Sequence, residues 1–223
     1  MHSHSYIPLA SALTALLAIA GVLFHSAAAD NNLPDFSGNS PSSPAAGEQT
    51  AVLAGGCFWG VDAVFKHLKG VTGVVSGYAG GDNTTATYGA VSSGTTGHAE
   101  SVRITYDPTK ISYAQLLKVF FAVAHDPTEL NRQGPDRGTQ YRSAIFYANP
   151  QQEQVAQAYI KQLDKARVFP APIVTQVTAL KQFYPAEAYH QGYLANHPYQ
   201  PYLVINDMPK LEQLRKVFPA LYH

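Results

Sequence analysis

The segment Gly55-Gly56-Cys57-Phe58-Trp59-Gly60 contains the only cysteine and the only tryptophan of this 223-residue chain. A short apolar segment, 51–54, precedes it, and apolar residues at helical spacing follow it as far as Leu68. This order predicts a strand, a tight turn and a helix whose first turn carries Cys57. Glycine suits such a turn because it adopts backbone angles that are closed to other residues.

The predicted position of Cys57 favours a reactive thiol. Backbone N–H groups and the helix dipole favour negative charge at the start of a helix, so we expect a lowered pKa and a larger thiolate fraction. The alternative is a buried, inert cysteine, since most free cysteines are of that kind. A single cysteine excludes an internal disulfide framework and a multi-cysteine zinc site.

The charge balance excludes two classes of partner. The chain has 15 basic and 15 acidic residues, so its net charge is zero and it has no electrostatic footprint for nucleic acid or for an anionic membrane surface. Charged residues make up only 13% of the chain, whereas there are 14 tyrosines. Polar contacts in a functional site are therefore expected to come from Tyr, Asn, Gln and His.

The N-terminal residues predict an exported protein, periplasmic or secreted. Residues 9–24 are uncharged and rich in Ala and Leu, and small residues follow up to Ala29. This pattern predicts a signal peptide over 1–29, although it contains no Lys or Arg; an uncleaved membrane anchor is the alternative. Residues 30–49 are rich in Pro, Ser, Gly and Asn and predict a flexible linker before a folded domain over 50–223.

The remaining pattern predicts an α+β fold. Strands are predicted at 51–54, 71–78, 101–106 and 143–148, and helices at 57–68, 116–124 and 150–166. The β-α-β-β-α-β order is that of the split β-α-β unit, so we expect a ferredoxin-like two-layer sandwich. Added C-terminal helices and coil follow, with a strand predicted at 173–177 and helices at 186–195 and 210–218.

Glu100 is a candidate acid. It enters a largely apolar strand, where burial would raise its pKa and make it a general acid near neutral pH. The alternative is a glutamate at a strand end that faces water. His98-x-Glu100 is similar to the zinc deaminase motif, but the later Cys-x-x-Cys pair is absent, so no metal is predicted.

Other polar and aromatic groups lie in loops. The long polar loop 131–142 leads directly into a strand, where functional groups are often placed, although its arginines could simply pair with Asp136 in solvent. Tyr88, beyond a glycine loop, could be an ordinary surface aromatic. His125 is predicted to cap the end of an apolar helix. The aromatic segment 183–191 could form the wall of a pocket.

Five segments in series resemble the peptide methionine sulfoxide reductase A family. The similarity extends from Thr50 into the C-terminal tail. The segments are Gly56-Cys57-Phe58-Trp59-Gly60, Gly97-His98-Ala99-Glu100, His125-Asp126-Pro127-Thr128, Asn131-Arg132-Gln133-Gly134 with Gly138-Thr139-Gln140-Tyr141-Arg142-Ser143, and Phe183-Tyr184-Pro185-Ala186-Glu187 with Tyr189-His190-Gln191.

The resemblance implies reduction of the S epimer of methionine sulfoxide, free or in peptides and proteins. It implies that Cys57 attacks the sulfoxide sulfur, that Glu100 protonates the oxygen, and that a sulfenic acid forms on the cysteine. It further implies roles for five other side chains: two hydroxyl groups that hold the oxygen, a second carboxylate, and an apolar pocket for the methyl group. In that order they are Tyr88 and Tyr141, Asp136, and Phe58 and Trp59.

The chain departs from many relatives because it lacks a C-terminal resolving cysteine. We therefore expect an external thiol, from a thioredoxin-like protein or a small molecule, to reduce the sulfenic acid, with no bound cofactor, in a monomer. One alternative is a thiol hydrolase with Cys57 as nucleophile and His98 or His190 as base. Another is an exported peptide-binding module without catalysis, for which Cys57→Ser would leave function intact.

Overall fold

The computed structural model describes residues 33–38 and 47–223. The predicted signal peptide over 1–29 lies outside these residues, as does most of the predicted linker. Within the described part of the chain, no helix is both long enough and apolar enough to cross a membrane.

A six-stranded sheet forms the centre of the fold. Its strands are β1 (Gln49–Gly55), β2 (Val71–Ala79), β3 (Ala99–Tyr106), β6 (Ser143–Tyr147), β7 (Gln176–Ala179) and β8 (Phe183–Pro185); between β3 and β6, β4 (Arg132–Gln133) and β5 (Asp136–Arg137) form a separate hairpin. The order in the sheet is β7-β6-β1-β3-β2-β8. Only β6 and β7 run parallel; the other neighbours are antiparallel.

Seven α-helices connect and cover the strands in the described residues. They are α1 (Phe58–Lys66), α2 (Tyr88–Val91), α3 (Tyr113–Val119), α4 (Pro150–Ala166), α5 (Tyr193–Asn196), α6 (Pro201–Asn206) and α7 (Met208–Val217). A π-helical turn, Phe120–Ala124, continues α3. The predicted α+β class is confirmed.

Local sequence explains where α3 and α4 begin. The Ser112 side chain accepts a hydrogen bond from the Gln115 backbone N–H, and the Gln115 side chain accepts one from the Ser112 backbone N–H, which together form a capping box. Asn149 caps α4, and Pro150 occupies a first-turn position where no N–H is needed.

The two faces of the sheet carry separate cores. Leu53 of β1 belongs to the larger core with buried side chains of α1, α3 and α4, whereas its neighbours Val52 and Ala54 belong to a smaller cluster with Phe183. This alternation follows from the two-residue period of a strand.

The C-terminal segment differs from the prediction. The helix expected over 186–195 is divided into a 3₁₀ turn, Ala188–His190, and α5, because Gly192 has a positive φ of 61°. Strand β8 was not predicted, and β7 begins only at Gln176 rather than over 173–177. The Gln191 side chain bonds both backbone groups of Ser76 at 2.9 Å, so this segment is fixed along β2 by a long-range contact.

Part of the segment predicted as a linker lies against the domain. Leu33 is only 1% exposed, and the Tyr159 hydroxyl of α4 donates a 2.8 Å hydrogen bond to the Pro34 carbonyl. The Phe36 ring packs edge-on against Tyr159. Two apolar side chains in a mainly polar stretch supply the surface that is buried here.

Candidate active site

Cys57 lies between β1 and α1, as the sequence predicts. It is the residue before the first turn of α1 and is 8% exposed. Gly56 has a φ of +87°, and a side chain there would overlap Gln133 of the β4–β5 hairpin. The turn therefore requires glycine for both its backbone angle and its close packing.

The predicted low pKa of Cys57 is wrong. Burial raises the pKa of the thiol well above its ordinary value, and the carboxyl groups of Glu100 and Asp207 raise it further. The hydrogen bond with the Trp59 backbone and the charge of Lys210 lower the pKa, but by less. Desolvation outweighs the favourable helix terminus, so the resting cysteine is a thiol.

Glu100 lies on β3 and is buried, with 2% exposure. Its carboxyl group accepts a 3.0 Å hydrogen bond from the backbone N–H of Phe58. Burial raises its pKa to about 8; the bond from Phe58 acts in the opposite direction, and the charge of Asp136 adds to the rise. The alternative of a water-facing glutamate is therefore wrong, and at neutral pH the group is predominantly a neutral acid.

One cavity of about 230 Å³ brings all the predicted site residues together. Seven of its lining residues are those expected from the sequence: Cys57, Phe58, Trp59, Tyr88, Glu100, Asp136 and Tyr141. Two more, Gln200 and Tyr202, come from the C-terminal segment. A small, mostly aromatic enclosure beside a thiol and a neutral carboxyl group suits a compact polar group that carries apolar substituents.

Asp136 is bound by a residue that the sequence analysis missed. The hydroxyl of Tyr202, on α6, donates a short hydrogen bond to the Asp136 carboxylate. The sequence suggested that arginines of this loop could pair with Asp136. Arg132 instead forms an ion pair with Glu129 at 2.9 Å. Asp136 and Tyr202 therefore line the cavity as a hydrogen-bonded pair.

Tyr88 and Tyr141 reach the cavity from two short helical elements. Tyr88 is the first residue of α2, and Tyr141 ends a 3₁₀ turn that begins at Thr139. The Thr139 hydroxyl donates a 2.7 Å hydrogen bond to the Gly94 carbonyl just after α2, which joins the two elements. Burial raises the pKa of both tyrosines, so both phenols remain hydrogen-bond donors.

The two histidines considered as bases have no free basic nitrogen. His190 Nδ1 accepts a 3.1 Å hydrogen bond from the Trp59 indole N–H. His98 Nδ1 accepts one from the Gly81 backbone N–H, and its Nε2 donates to the Asp82 carbonyl. Neither ring can therefore accept the proton of Cys57 in this arrangement.

His125 caps a carbonyl, but in the neutral form. Its Nδ1 donates to the Phe120 carbonyl, and its Nε2 accepts a 2.6 Å hydrogen bond from the Ser143 hydroxyl. Burial lowers its pKa to about 3, so the neutral imidazole forms the capping hydrogen bond. Among residues 33–38 and 47–223, no cluster of three or more His, Cys, Asp or Glu side chains could hold a metal ion.

We compared the chain with known protein families. The family model described as peptide methionine sulfoxide reductase matches residues 49–221. The chain belongs to this family.

Two curated members of the peptide methionine sulfoxide reductase family illustrate the similarity. Peptide methionine sulfoxide reductase MsrA 2 of Mesorhizobium japonicum is 61% identical over 178 residues, which cover 80% of this chain and 91% of that protein. The protein of the same name from Synechocystis is 52% identical, with coverage of 81% and 84%.

Solved structures from the family are also similar. Mxr1 from Saccharomyces cerevisiae in reduced form has a TM-score of 0.64 and 34% identity, and covers 70% of this chain and 89% of its own. Methionine sulfoxide reductase A of Corynebacterium diphtheriae has a TM-score of 0.60 and 38% identity, with coverage of 70% and 79%.

Gln200 and Tyr202 were not predicted from the sequence. Both lie in the segment His197-Pro198-Tyr199-Gln200-Pro201-Tyr202, whose density of aromatic and polar residues was the available signal. Nothing in its spacing indicates that it folds back over the β4–β5 hairpin, so only the structure reveals the contact with Asp136.

Proposed function

We propose that the protein reduces the S epimer of methionine sulfoxide, free or within polypeptides, with Cys57 as nucleophile and Glu100 as acid. The observation that carries this proposal is the placement of both groups at the first turn of α1. Glu100 accepts the Phe58 N–H there and is held mainly as a neutral acid beside the Cys57 thiol.

The chemistry transfers one oxygen atom. The Cys57 sulfur attacks the sulfoxide sulfur, and Glu100 delivers a proton to the sulfoxide oxygen, which becomes a good leaving group. The protonated oxygen leaves the substrate sulfur as a hydroxyl group and bonds to the Cys57 sulfur, while the sulfur–sulfur bond formed in the attack breaks; methionine is released and the cysteine is oxidised to a sulfenic acid. The proton lost from the thiol restores the acid form of Glu100, and atoms and electrons balance.

Burial of the site couples proton donation by Glu100 to loss of the thiol proton of Cys57. An isolated thiolate is costly in this cavity, because desolvation is the first cause of the raised Cys57 pKa. When Glu100 gives its proton to the substrate, positive character develops on the sulfoxide next to the thiol. That charge favours the thiolate at the moment of attack, with no need for a reactive thiolate in the resting protein.

The other cavity residues suit recognition of a methyl sulfoxide. We assign Phe58 and Trp59 to the apolar pocket for the methyl group. Tyr88 and Tyr141, both kept as donors, hold the oxygen, and Asp136 is the second carboxylate of the site. Aromatic walls also exclude water from the reacting pair.

An external thiol completes the cycle in this proposal. The chain has no second cysteine, so Cys57 cannot form an internal disulfide. A first external thiol would displace water from the sulfenic acid to give a mixed disulfide, and a second thiol would release Cys57 as a thiol. A thioredoxin-like protein or a small thiol fits this requirement, with the enzyme acting as a monomer and without a cofactor.

Two further assignments are proposals of the same kind. We propose that the four central strands form a ferredoxin-like split β-α-β unit; the order β6-β1-β3-β2, with antiparallel neighbours throughout, supports it. We also propose export to the periplasm or the exterior, or attachment to a membrane, on the basis of the apolar residues 9–24. Residues 1–29 would then form the signal peptide or the anchor.

The direct test is a single turnover without reductant. Separate S and R sulfoxides of a blocked methionine are supplied, and both the methionine formed and the mass of the Cys57 peptide are measured. The expected result is about one methionine per enzyme from the S epimer only, with one oxygen gained at Cys57. Folded protein with a free thiol that forms no methionine would overturn the proposal. Cys57→Ser is the matched control.

A further inference from the structure

We propose that Glu187 is a positioning residue that fixes Tyr88 in the cavity. This inference rests on the proposed function, in which the Tyr88 phenol holds the substrate oxygen. It concerns the aromatic segment 183–191, to which the sequence analysis assigned only a wall of the pocket.

The first observation is a helix start that lacks a local cap. Helix α2 has only four residues, and the Thr87 side chain before it forms no capping hydrogen bond. Instead, the Glu187 carboxylate accepts the Tyr88 backbone N–H at 2.9 Å, from 99 residues further along the chain. A carboxylate is a favourable acceptor for a helix N–H. The helix that carries Tyr88 is therefore held at its first residue by Glu187.

The second observation is a second donor on the same carboxylate. The hydroxyl of Tyr78, a buried residue of β2, donates a 2.9 Å hydrogen bond to the other oxygen of Glu187. The Tyr78 ring in turn contacts the ring of Phe58, with centroids 5.9 Å apart. Glu187 therefore connects Tyr88 with the part of the core that supports the first turn of α1.

Glu187 itself has a fixed backbone. The residue before it, Ala186, donates its N–H to the Ser76 carbonyl at 2.9 Å, and the His190 N–H closes the following turn on the Glu187 carbonyl. The His190 ring lies against the Tyr88 ring, with centroids 4.4 Å apart. The Glu187 side chain extends from a fixed backbone and accepts a hydrogen bond from each of two donors, so it has little conformational freedom. A positioning residue needs such restraint.

Substitutions at Glu187 separate positioning from charge. Glu187→Ala removes both acceptors, so Tyr88 loses its fixed position, and we expect the single-turnover rate of sulfoxide reduction to fall about 10-fold or more. Glu187→Gln keeps an oxygen for the Tyr88 N–H and offers an amide donor to the Tyr78 oxygen. We therefore expect Gln to restore the rate to within about 3-fold of the original.

The experiment is a double-mutant cycle between Glu187→Ala and Tyr88→Phe, measured in the full chain by single turnover under saturating S sulfoxide. If Glu187 acts through Tyr88, Glu187→Ala adds less than about 2-fold once the phenol is removed. Asp164→Ala is the matched control, because Asp164 also accepts a remote backbone N–H, from Ile173 at 3.0 Å. The single-turnover rate of the Asp164→Ala variant should equal that of the original protein. Thermal unfolding and titration of the Cys57 thiol verify that each variant is folded.

The possible outcomes are distinct. Non-additive loss in the cycle, together with rescue by Gln, supports the inference. Additive losses, or an unchanged rate in Glu187→Ala while Tyr88→Phe is slow, overturn the positioning role and leave the proposed function intact. An unchanged rate in Tyr88→Phe overturns the assigned role of Tyr88 and the inference with it. If Glu187→Ala does not fold, the Gln variant alone decides: a loss of about 10-fold in folded protein contradicts the inference.

Discussion

The backbone N–H of Phe58 donates a 3.0 Å hydrogen bond to the carboxyl group of Glu100, across 42 residues of sequence. This bond joins the first turn of α1, next to Cys57, to the strand that carries the acid. A helix N-terminus favours the carboxylate, yet burial prevails and raises the Glu100 pKa to about 8. The fold thus keeps a proton on a carboxyl group that lines the same cavity as the thiol.

Glu100→Gln is expected to abolish proton delivery while preserving the fold. The amide oxygen can still accept the Phe58 N–H, but the amide cannot donate a proton to a sulfoxide. We expect the single-turnover rate to fall by roughly 10²- to 10⁴-fold, the usual contribution of general acid catalysis. Rapid-quench measurement of methionine formation gives the rate, and circular dichroism verifies the fold. A rate within about 3-fold of the original would exclude Glu100 as the acid.

Burial of Glu100 also predicts how stability depends on pH. The group loses its proton near pH 4.5 when unfolded and near pH 8 when folded, so between these values the folded state binds more protons. Its contribution to stability is therefore fully present below pH 4.5 and is lost as the pH rises through about 8. We expect the free energy of unfolding to decrease over this window more in the original protein than in Glu100→Gln. Urea denaturation at several pH values measures the free energy of unfolding of both proteins. The same pH dependence in the two would contradict the burial of Glu100.

The structure around Cys57 was predictable because its determinants are local. A short apolar run, a pair of glycines and a helical pattern lie within about 20 residues, and each favours one backbone conformation. The capping box at Ser112 is equally local. The joint location of Cys57, Glu100 and Tyr141 was expected from the resemblance to the family, not from spacing.

The pKa of Cys57 and the contact of Tyr202 with Asp136 were not predictable in this way. The helix terminus acts locally on Cys57, whereas desolvation and the charges of Glu100 and Asp207 depend on the whole fold. Tyr202 reaches Asp136 across 66 residues, and no periodicity encodes that contact. Long-range packing decides both features.

Gly60→Ala is expected to destabilise the protein although alanine favours helices. A side chain at Gly60 of α1 would overlap the buried Asp207 carboxylate and approach Lys210 to 2.8 Å. Asp207 cannot easily move because it is buried and forms an ion pair with Lys210 at 3.0 Å. We expect a loss of about 1–3 kcal/mol in the free energy of unfolding.

Gly89→Ala is the matched control for this change. Gly89 also lies in a helix, but an added side chain there meets no atom within 4 Å. We expect it to leave stability unchanged or to increase it by up to about 1 kcal/mol, through helix propensity alone. Equal effects of the two substitutions in urea denaturation would contradict the predicted overlap.

Leu33→Ala tests whether the segment before the domain stabilises it. Leu33 is 1% exposed and belongs to the main core, so truncation should cost about 2–3 kcal/mol. Leu130→Ala is the control, because Leu130 is 63% exposed and its truncation should change the free energy of unfolding by less than about 0.5 kcal/mol. If the two variants unfold at the same denaturant concentration, residues 33–38 do not contribute to the stability of the domain.

Tyr202→Phe is expected to weaken the site without disturbing the core. The substitution keeps the ring, which packs edge-on against Trp59, and removes the hydroxyl that donates to Asp136. A hydrogen bond to a charged group contributes about 1.5–3 kcal/mol, so we expect kcat/KM for the S sulfoxide to fall at least about 10-fold. Asp136→Ala removes the acceptor of the same hydrogen bond and should cause a loss at least as large, and combining the two substitutions should add little to it. Tyr222→Phe, outside the cavity, should retain full activity. Additive losses in the double variant would show that Tyr202 acts on the reaction independently of Asp136.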